Sequence, residues 1–399
     1  MIPPADPPRA ALWPAYISTF TFMLGQWIAF LAVPLLVGQL GGGPAEAGAI
    51  IASRSLLQAF VSLPLGAVGD SLGPRRTLAG SVMANTLVNL IPLVAIASGW
   101  TLPLYAWALL SGIASGLFLP AISAYVAGAA GEQERGSAFG WLTLFTHSGA
   151  AAGPAIGGLV WDAAGPVAVF LLAALVGLLA LIGPYFVRVA VRTRLDFAGV
   201  PAAIAAVARD RMVLSVWLSS LAIGLPWGTV GALLPLFATS IGITAGTVGL
   251  LLALQSLVNA GSRVPLGRFI DRRGFSPVLI AGTAMLYAVI LSLLGIQRTP
   301  LGIGLVLAVG VLAIAMTVMG IQVFLAARVT PQLRATALGG YNAFLQAGFG
   351  LGPLLAGTIS DARGYGAGFA AAGAAGFVVA VVAGGLALSA RRGVAPPPS

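Results

Sequence analysis

The sequence predicts an all-α membrane protein of twelve transmembrane helices, arranged as two pseudo-symmetric six-helix bundles with N- and C-termini cytoplasmic. Three observations predict it. The 399-residue chain is 59% hydrophobic and 8% charged, with a mean hydropathy of +1.01, whereas soluble domains carry about 25% charged residues. It says nearly the same thing twice, 201 residues apart. Its arginines alternate along the chain as those of a many-span membrane protein do.

Apolar runs bounded by Gly, Pro and charge clusters give the spans, each long enough for a helix of about 20 residues. In order they are 15–39, 47–68, 77–97, 103–128, 137–161, 167–187, 212–239, 246–268, 277–296, 301–327, 335–359 and 367–389. The longest polar interruption divides them six and six. The expected organisation is a first bundle over 1–187, a cytoplasmic linker over 188–211 and a second bundle over 212–399. The Pro-rich tails, 1–8 and 394–399, read as short disordered ends. The N-terminus carries only Arg9 and runs into an uninterrupted span, so a cleaved signal peptide is not expected.

Arginine placement tests this map. With the N-terminus inside, sixteen arginines fall on the cytoplasmic side, Arg298 and Arg363 on the other, and Arg54 and Arg263 within spans. A bias of that size is what the positive-inside rule predicts for one orientation. All twenty basic residues are arginine, and the net charge of +10 belongs to short loops rather than to a nucleic-acid surface. Without cysteine and with a single histidine, neither a disulfide nor a Cys/His metal or nucleophile site can be built, so metal ligands are none.

The repeat reads Pro64-Leu65-Gly66 through Asp70 and Gly73, followed by Arg75 and Arg76, and again Pro265-Leu266-Gly267 through Asp271, Arg272 and Gly274. Both copies link two spans on the same expected side. Small residues there permit close helix approach, and a carboxylate suits a facing helix N-terminus. A second repeat lies on the fifth and eleventh spans at an offset of 199. Gly149, Gly153, Pro154, Gly157 and Gly158 correspond to Gly352, Pro353 and Gly357, and the flanking Asp162 and Gly165 correspond to Asp361 and Gly364.

The first repeat resembles the G-x-x-x-D-[RK]-x-G-[RK]-[RK] signature of the major facilitator superfamily, which recurs between helices 2 and 3 and between helices 8 and 9. The first copy departs from it, with Ser71 for a basic residue and Pro74 displacing the arginine pair. The fifth-span stretch is similar to G-x-x-x-G-P-x-x-G-G, a signature of exporters in that superfamily. The resemblance is therefore to the twelve-helix efflux branch, drug–proton antiporter-like. Two of that branch's features are missing. No arginine stands four residues before Gly112, where Ala108 sits instead, and the first span holds no acidic residue. The resemblance implies a fold in which helices 1, 4, 7 and 10 line a central cavity and helices 2, 5, 8 and 11 form its sides.

Polar side chains at mid-membrane are costly without a role. His147 on the fifth span matches Gln346 on the eleventh, and Thr143 matches Asn342. Arg54, Gln58 and Ser62 on the second span match Gln255, Asn259 and Arg263 on the eighth. Gln26 and Trp27 on the first span reach similar depth, with Trp227 on the seventh somewhat beyond it. Gln26, Trp27, Arg54, Gln58, His147, Trp227, Gln255, Asn259, Asn342 and Gln346 are thus the candidate substrate-binding residues; helix packing is the competing explanation for each. Arg54 has three open readings: snorkelling outward, pairing with Glu46, or binding an anionic group. Arg263 reads as structural, Asn85 and Asn89 as packing groups, and Met316 and Met319 as adaptable apolar lining.

These features point to a secondary active transporter working by alternating access, exporting a small amphipathic or apolar compound. The alternative is a transporter of a small organic anion using Arg54 and His147. No G-x-x-x-x-G-K-[ST] exists for an ATP engine, so no cofactor is expected. His147 makes coupling to a proton gradient a hypothesis. An intramembrane enzyme is not expected, because His147 and Ser148 point about 100° apart on a helix and no intramembrane aspartate pair exists. A sensor or scaffold on the same fold would bind ligand and move none. The expected partners are a small-molecule substrate and the lipid bilayer, with no nucleic acid; the protein is expected to be a monomer in the plasma (cell inner) membrane of a bacterium or archaeon.

Overall fold

The computed structural model describes residues 12–130, 134–186, 200–330 and 333–392. Every regular element among them is a helix: α1 Trp13–Gln39, α2 Pro44–Leu72, α3 Pro74–Val88, α4 Ile91–Ser98, α5 Leu102–Ala129, α6 Arg135–Leu179, α7 Ile182–Phe186, α8 Val200–Ala208, α9 Arg211–Ser240, α10 Ala245–Arg273, α11 Pro277–Ser292, α12 Pro300–Arg328, α13 Arg334–Arg363 and α14 Tyr365–Arg392. With no water in a bilayer core, such helices satisfy their backbone groups internally.

Ten stretches among the described residues are long and apolar enough to cross a membrane. One of them, Arg135–Phe186, is 52 residues long and is broken at Gly165, whose φ of 77° and ψ of −178° leave the helical region. It therefore supplies the fifth and sixth spans. The 29-residue α2 supplies the second, and the expected twelve are complete. Two local differences from expectation have identifiable causes. The third span is interrupted between α3 and α4, with Pro92 in the first turn of α4, because proline supplies no N–H to continue the ladder. The ninth closes with a short 3-10 turn, Leu293–Ile296.

The duplication is written into the backbone. Seven glycines among the described residues have positive φ, and six of them form pairs: Gly41 with Gly242, Gly73 with Gly274, and Gly165 with Gly364. These share the repeat offsets of 201 and 199. A left-handed residue terminates a helix cheaply only as glycine. Gly73 and Gly274 end the two copies of the sequence signature in this way.

The chain divides into two compact units. Unit 1 is Met1–Gly42, Phe60–Leu195 and Gly242–Ala253; unit 2 is Gly43–Ala59, Asp196–Ile241 and Leu254–Ser399. Thus α2 gives its first half to unit 2, and α10 gives its first residues to unit 1. The core of unit 1 gathers residues of α1, α3, α5 and α6 around Phe22 and Phe118, whose rings stack at 3.8 Å. In unit 2, Trp217 of α9 packs with Ile280, Ile321, Leu325 and Ala337, and its indole N–H donates to the Ala337 carbonyl at 2.9 Å. That bond removes the cost of burying the Trp217 polar tip.

Candidate functional site

In unit 1 the exporter-like stretch of α6 presents two glycine lines. Gly149, Gly153 and Gly157 lie against α1: a Cβ at Gly149 would stand 2.5 Å from the Phe20 carbonyl oxygen, one at Gly153 2.6 Å from the Trp27 Cβ, and one at Gly157 3.1 Å from the Ile28 carbonyl oxygen. Pro154 and Gly158 lie against the start of α10, where a Cβ at Gly249 would collide with the Pro154 carbonyl oxygen and one at Gly158 with that of Ala245. Both contacts are backbone against backbone, the approach that small-xxx-small spacing permits.

Unit 2 builds the same arrangement from the second copy. On α13, Gly348 lies against Leu221 and Gly224 of α9, and Gly352 against the Leu225 carbonyl. On its other line, a Cβ at Gly357 would stand 2.5 Å from the Pro44 carbonyl oxygen, and one at Gly48 would collide with that of Pro353. Each unit therefore pairs a glycine-lined helix with the first turns of a helix whose sequence lies in the other half of the chain.

A carboxylate closes each of these junctions. Asp162 accepts the backbone N–H of Gly246 at 2.7 Å and that of Ala245 at 3.2 Å. Asp361 accepts that of Ala45 at 3.2 Å. Orphan N–H groups and the positive helix end both favour an anion at these places. The sequence marked Asp162 and Asp361 as a repeated pair without revealing the function of either. The partners are backbone groups more than 80 residues away, which no side-chain pattern signals.

The candidate binding residues separate into different environments. In unit 1, Gln26 is 6% exposed and its side-chain amide donates to the Ser115 hydroxyl, which in turn donates to the Ser111 carbonyl at 2.7 Å. Gln26 thus joins α1 to α5. Its neighbour Trp27 is half-buried, with its ring 5.1 Å from that of Phe30. His147 and Thr143 are exposed on α6.

In unit 2, Arg54 is 8% exposed and extends the buried stripe of Ala47, Ile50 and Ile51 along α2. One turn on, Gln58 is half-buried, and its side-chain oxygen is buried with no hydrogen-bond partner. Trp227 is half-buried and meets Phe349 edge-on at 5.8 Å. Gln255, Asn259 and Gln346 are half-buried, and Asn342 is exposed. Trp27 and Trp227 are thus both half-buried.

The signature loops are only partly visible. The surroundings of Gly66 and the side chain of Asp70 lie outside what is described, as do Arg9 and the linker residues Arg188, Arg192, Arg194 and Asp196. In the second copy, Gly267 faces the Met319 methyl group of α12, while Asp271 and Arg272 are exposed, as are Arg75 and Arg76 in the first. Asn89, expected to be a packing group, accepts the Trp107 indole N–H at 3.3 Å; the sequence signals neither that partner nor the Tyr287 hydroxyl, buried without a partner.

Residues 15–216 and 216–399 each match the family profile described as Major Facilitator Superfamily. The chain is 34% identical over 148 residues to "Multidrug resistance protein MdtG" of Dickeya zeae, over 37% of this chain and 35% of that protein. It is 26% identical over 378 residues to the protein of the same name from Citrobacter koseri, over 91% of this chain and 92% of that one. It therefore spans about 35% of the length of the first relative and nearly all of the second. Among solved structures, a bacterial homologue of the human lysosomal transporter Spinster, inward-facing and unoccupied, superposes with a TM-score of 0.75 at 15% identity, over 96% of each chain. At that identity the likeness shows the fold alone. With helices, left-handed glycines and glycine-lined junctions all duplicated, and both halves matched by one profile, the chain belongs to the major facilitator superfamily.

Proposed function

We propose that the protein is a secondary active transporter that works by alternating access between its two six-helix halves and exports a small amphipathic or apolar compound. The carrying observation is the pair of junctions between α6 and α10 and between α13 and α2. They join opposite halves of the sequence through glycine and carbonyl atoms, with Leu56 against Gly350 and Leu159 against Gly246 adding side-chain contact. Such surfaces suit a contact that is made and broken in each cycle.

The direction of transport is supported by the Gly149–Gly158 stretch and by relatives named for multidrug resistance. The substrate class is supported by the character of the candidate residues. Apart from Arg54 and His147 they are amides and indoles, and the unpartnered oxygen of Gln58 is free to accept a hydrogen bond from a ligand. Binding of that kind favours an apolar body with few polar groups. The arginine asymmetry supports cytoplasmic termini; residence in a bacterial plasma membrane, a monomeric state and a proton gradient as driving force complete the same reading. Superfamily membership argues for a transporter rather than an enzyme.

A second reading, transport of a small organic anion, is favoured by one observation, the burial of Arg54 on α2. Flux into proteoliposomes under an imposed pH gradient separates the two. Lipophilic cations and neutral dyes should move faster than in protein-free vesicles, and anions should not. Protein that is folded and yet moves neither class would overturn both readings.

A further inference from the structure

We propose that Asp162 and Asp361 are releasable latches between the two halves of the sequence, and that the Asp162 latch is the stronger. The inference rests on the alternating-access reading. Each carboxylate sits just before a left-handed glycine, Gly165 or Gly364, and reaches the first turn of a helix from the opposite half. Below each one the packing is glycine against carbonyl: Gly158 and Gly249 in unit 1, Gly357 and Gly48 in unit 2. These glycines have no side chain to follow a retreating backbone, so their contacts are lost together once they begin to separate.

Release is feasible because Asp162 and Asp361 are both exposed. Water can replace each carboxylate on the N–H groups it leaves, so opening strands no backbone donor. A permanent structural clamp would instead be expected to be dry.

The two junctions differ in detail. Asp162 takes two backbone N–H groups, one of them at 2.7 Å, through both of its oxygens. Asp361 takes one, at 3.2 Å. The residue next to that donor is Pro44, which has no N–H to offer. α10 also has a cap of its own, as the Thr244 hydroxyl accepts the Thr247 N–H at 3.2 Å, whereas α2 begins after Gly43, which has no side chain to do so. The α10 end therefore keeps its helical form when Asp162 lets go, ready to be recaptured.

The chain contains no cysteine, so introduced pairs are labelled without background. Spin labels on Ala163→Cys with Leu250→Cys report the first junction, and on Ala49→Cys with Ala362→Cys the second. Distances are measured by double electron–electron resonance in lipid nanodiscs. Asp162→Ala should add a longer-distance population at the first pair. That population should exceed the one Asp361→Ala adds at the second. Asp162→Asn, which keeps one acceptor oxygen, should fall between wild type and alanine.

Unchanged distances in both alanine variants would overturn the latches, and so would a lower melting temperature without a longer distance. A larger response to Asp361→Ala would overturn the ranking. Flux assays on the same samples keep the two proposals apart. Distances that respond while no compound is moved sink the export reading alone; normal flux with fixed distances sinks the latches alone.

Discussion

The indole N–H of Trp107 donates to the side-chain oxygen of Asn89 at 3.3 Å, joining α5 to the residue that caps the end of α3. One turn earlier on α3, Asn85 is 1% exposed, and neither its side-chain nitrogen nor its oxygen has a hydrogen-bond partner. Two asparagines of equal burial thus differ: the Asn85 side chain has no partner at all, whereas Asn89 holds Trp107 through its oxygen and leaves only its side-chain nitrogen unpaired. Removing an unpaired buried amide relieves a desolvation cost of about 1–3 kcal/mol, while removing one partner of a pair incurs it. Asn85→Leu should raise the melting temperature in detergent, and Asn89→Leu should lower it by orphaning the Trp107 N–H. A thermal unfolding comparison of the two variants checks the opposite signs.

Glycine substitutions should divide by what a Cβ would meet. At Gly352 it would collide with the Leu225 backbone, whereas at Gly261 it would meet open space. Gly352→Ala should separate α13 from α9 and cost about 1–3 kcal/mol as overpacking. Gly261→Ala, inside α10, should stabilise by about 0.4–1 kcal/mol through helix propensity and the unfolded chain. Equal melting temperatures for the two would contradict the close packing.

Asp210 has two roles, capping α9 through the Met212 N–H at 2.9 Å and pairing with Arg328 at 2.8 Å. The pair is partly exposed, so screening leaves it about 0–1 kcal/mol, whereas the cap contributes about 1 kcal/mol. Asp210→Ala should therefore destabilise more than Arg328→Gln. Raising the salt concentration should shrink the effect of Arg328→Gln and leave most of that of Asp210→Ala. Melting curves at two ionic strengths distinguish them.

His147 is exposed on α6, and all other titratable candidates in the binding set are absent or arginine. His147→Gln should abolish flux driven by a pH gradient while sparing exchange of labelled for unlabelled compound. Pumping with an unaltered pH profile would exclude this histidine from proton coupling.

The helices and their order were legible because burial in a bilayer demands long apolar runs, and sequence shows those directly. Gly165 was legible as a boundary but not as a single-residue one, since composition does not separate a turn from a loop. Gln26 was legible as a polar residue inside an apolar span, but its partner Ser115 is 89 residues away, and only packing of α1 on α5 brings the two together. The carboxylates were visible as a repeat, while their function depended on helix ends that a one-dimensional pattern cannot bring near them.

The break at Gly165 also bears on how the chain fits a bilayer. Arg135–Phe186 is apolar over 52 residues, and Asp162 is its sole acidic residue, with no loop between two spans. A bilayer core accommodates about 20 helical residues, so a continuous helix of that length has no place in it. The fifth and sixth spans therefore form a hairpin that turns at one glycine, in a conformation that side chains resist. A bulky residue at that point would be held in a strained backbone conformation at the one place where the two spans are joined. The connection between two whole spans thus depends on the backbone freedom of a single residue.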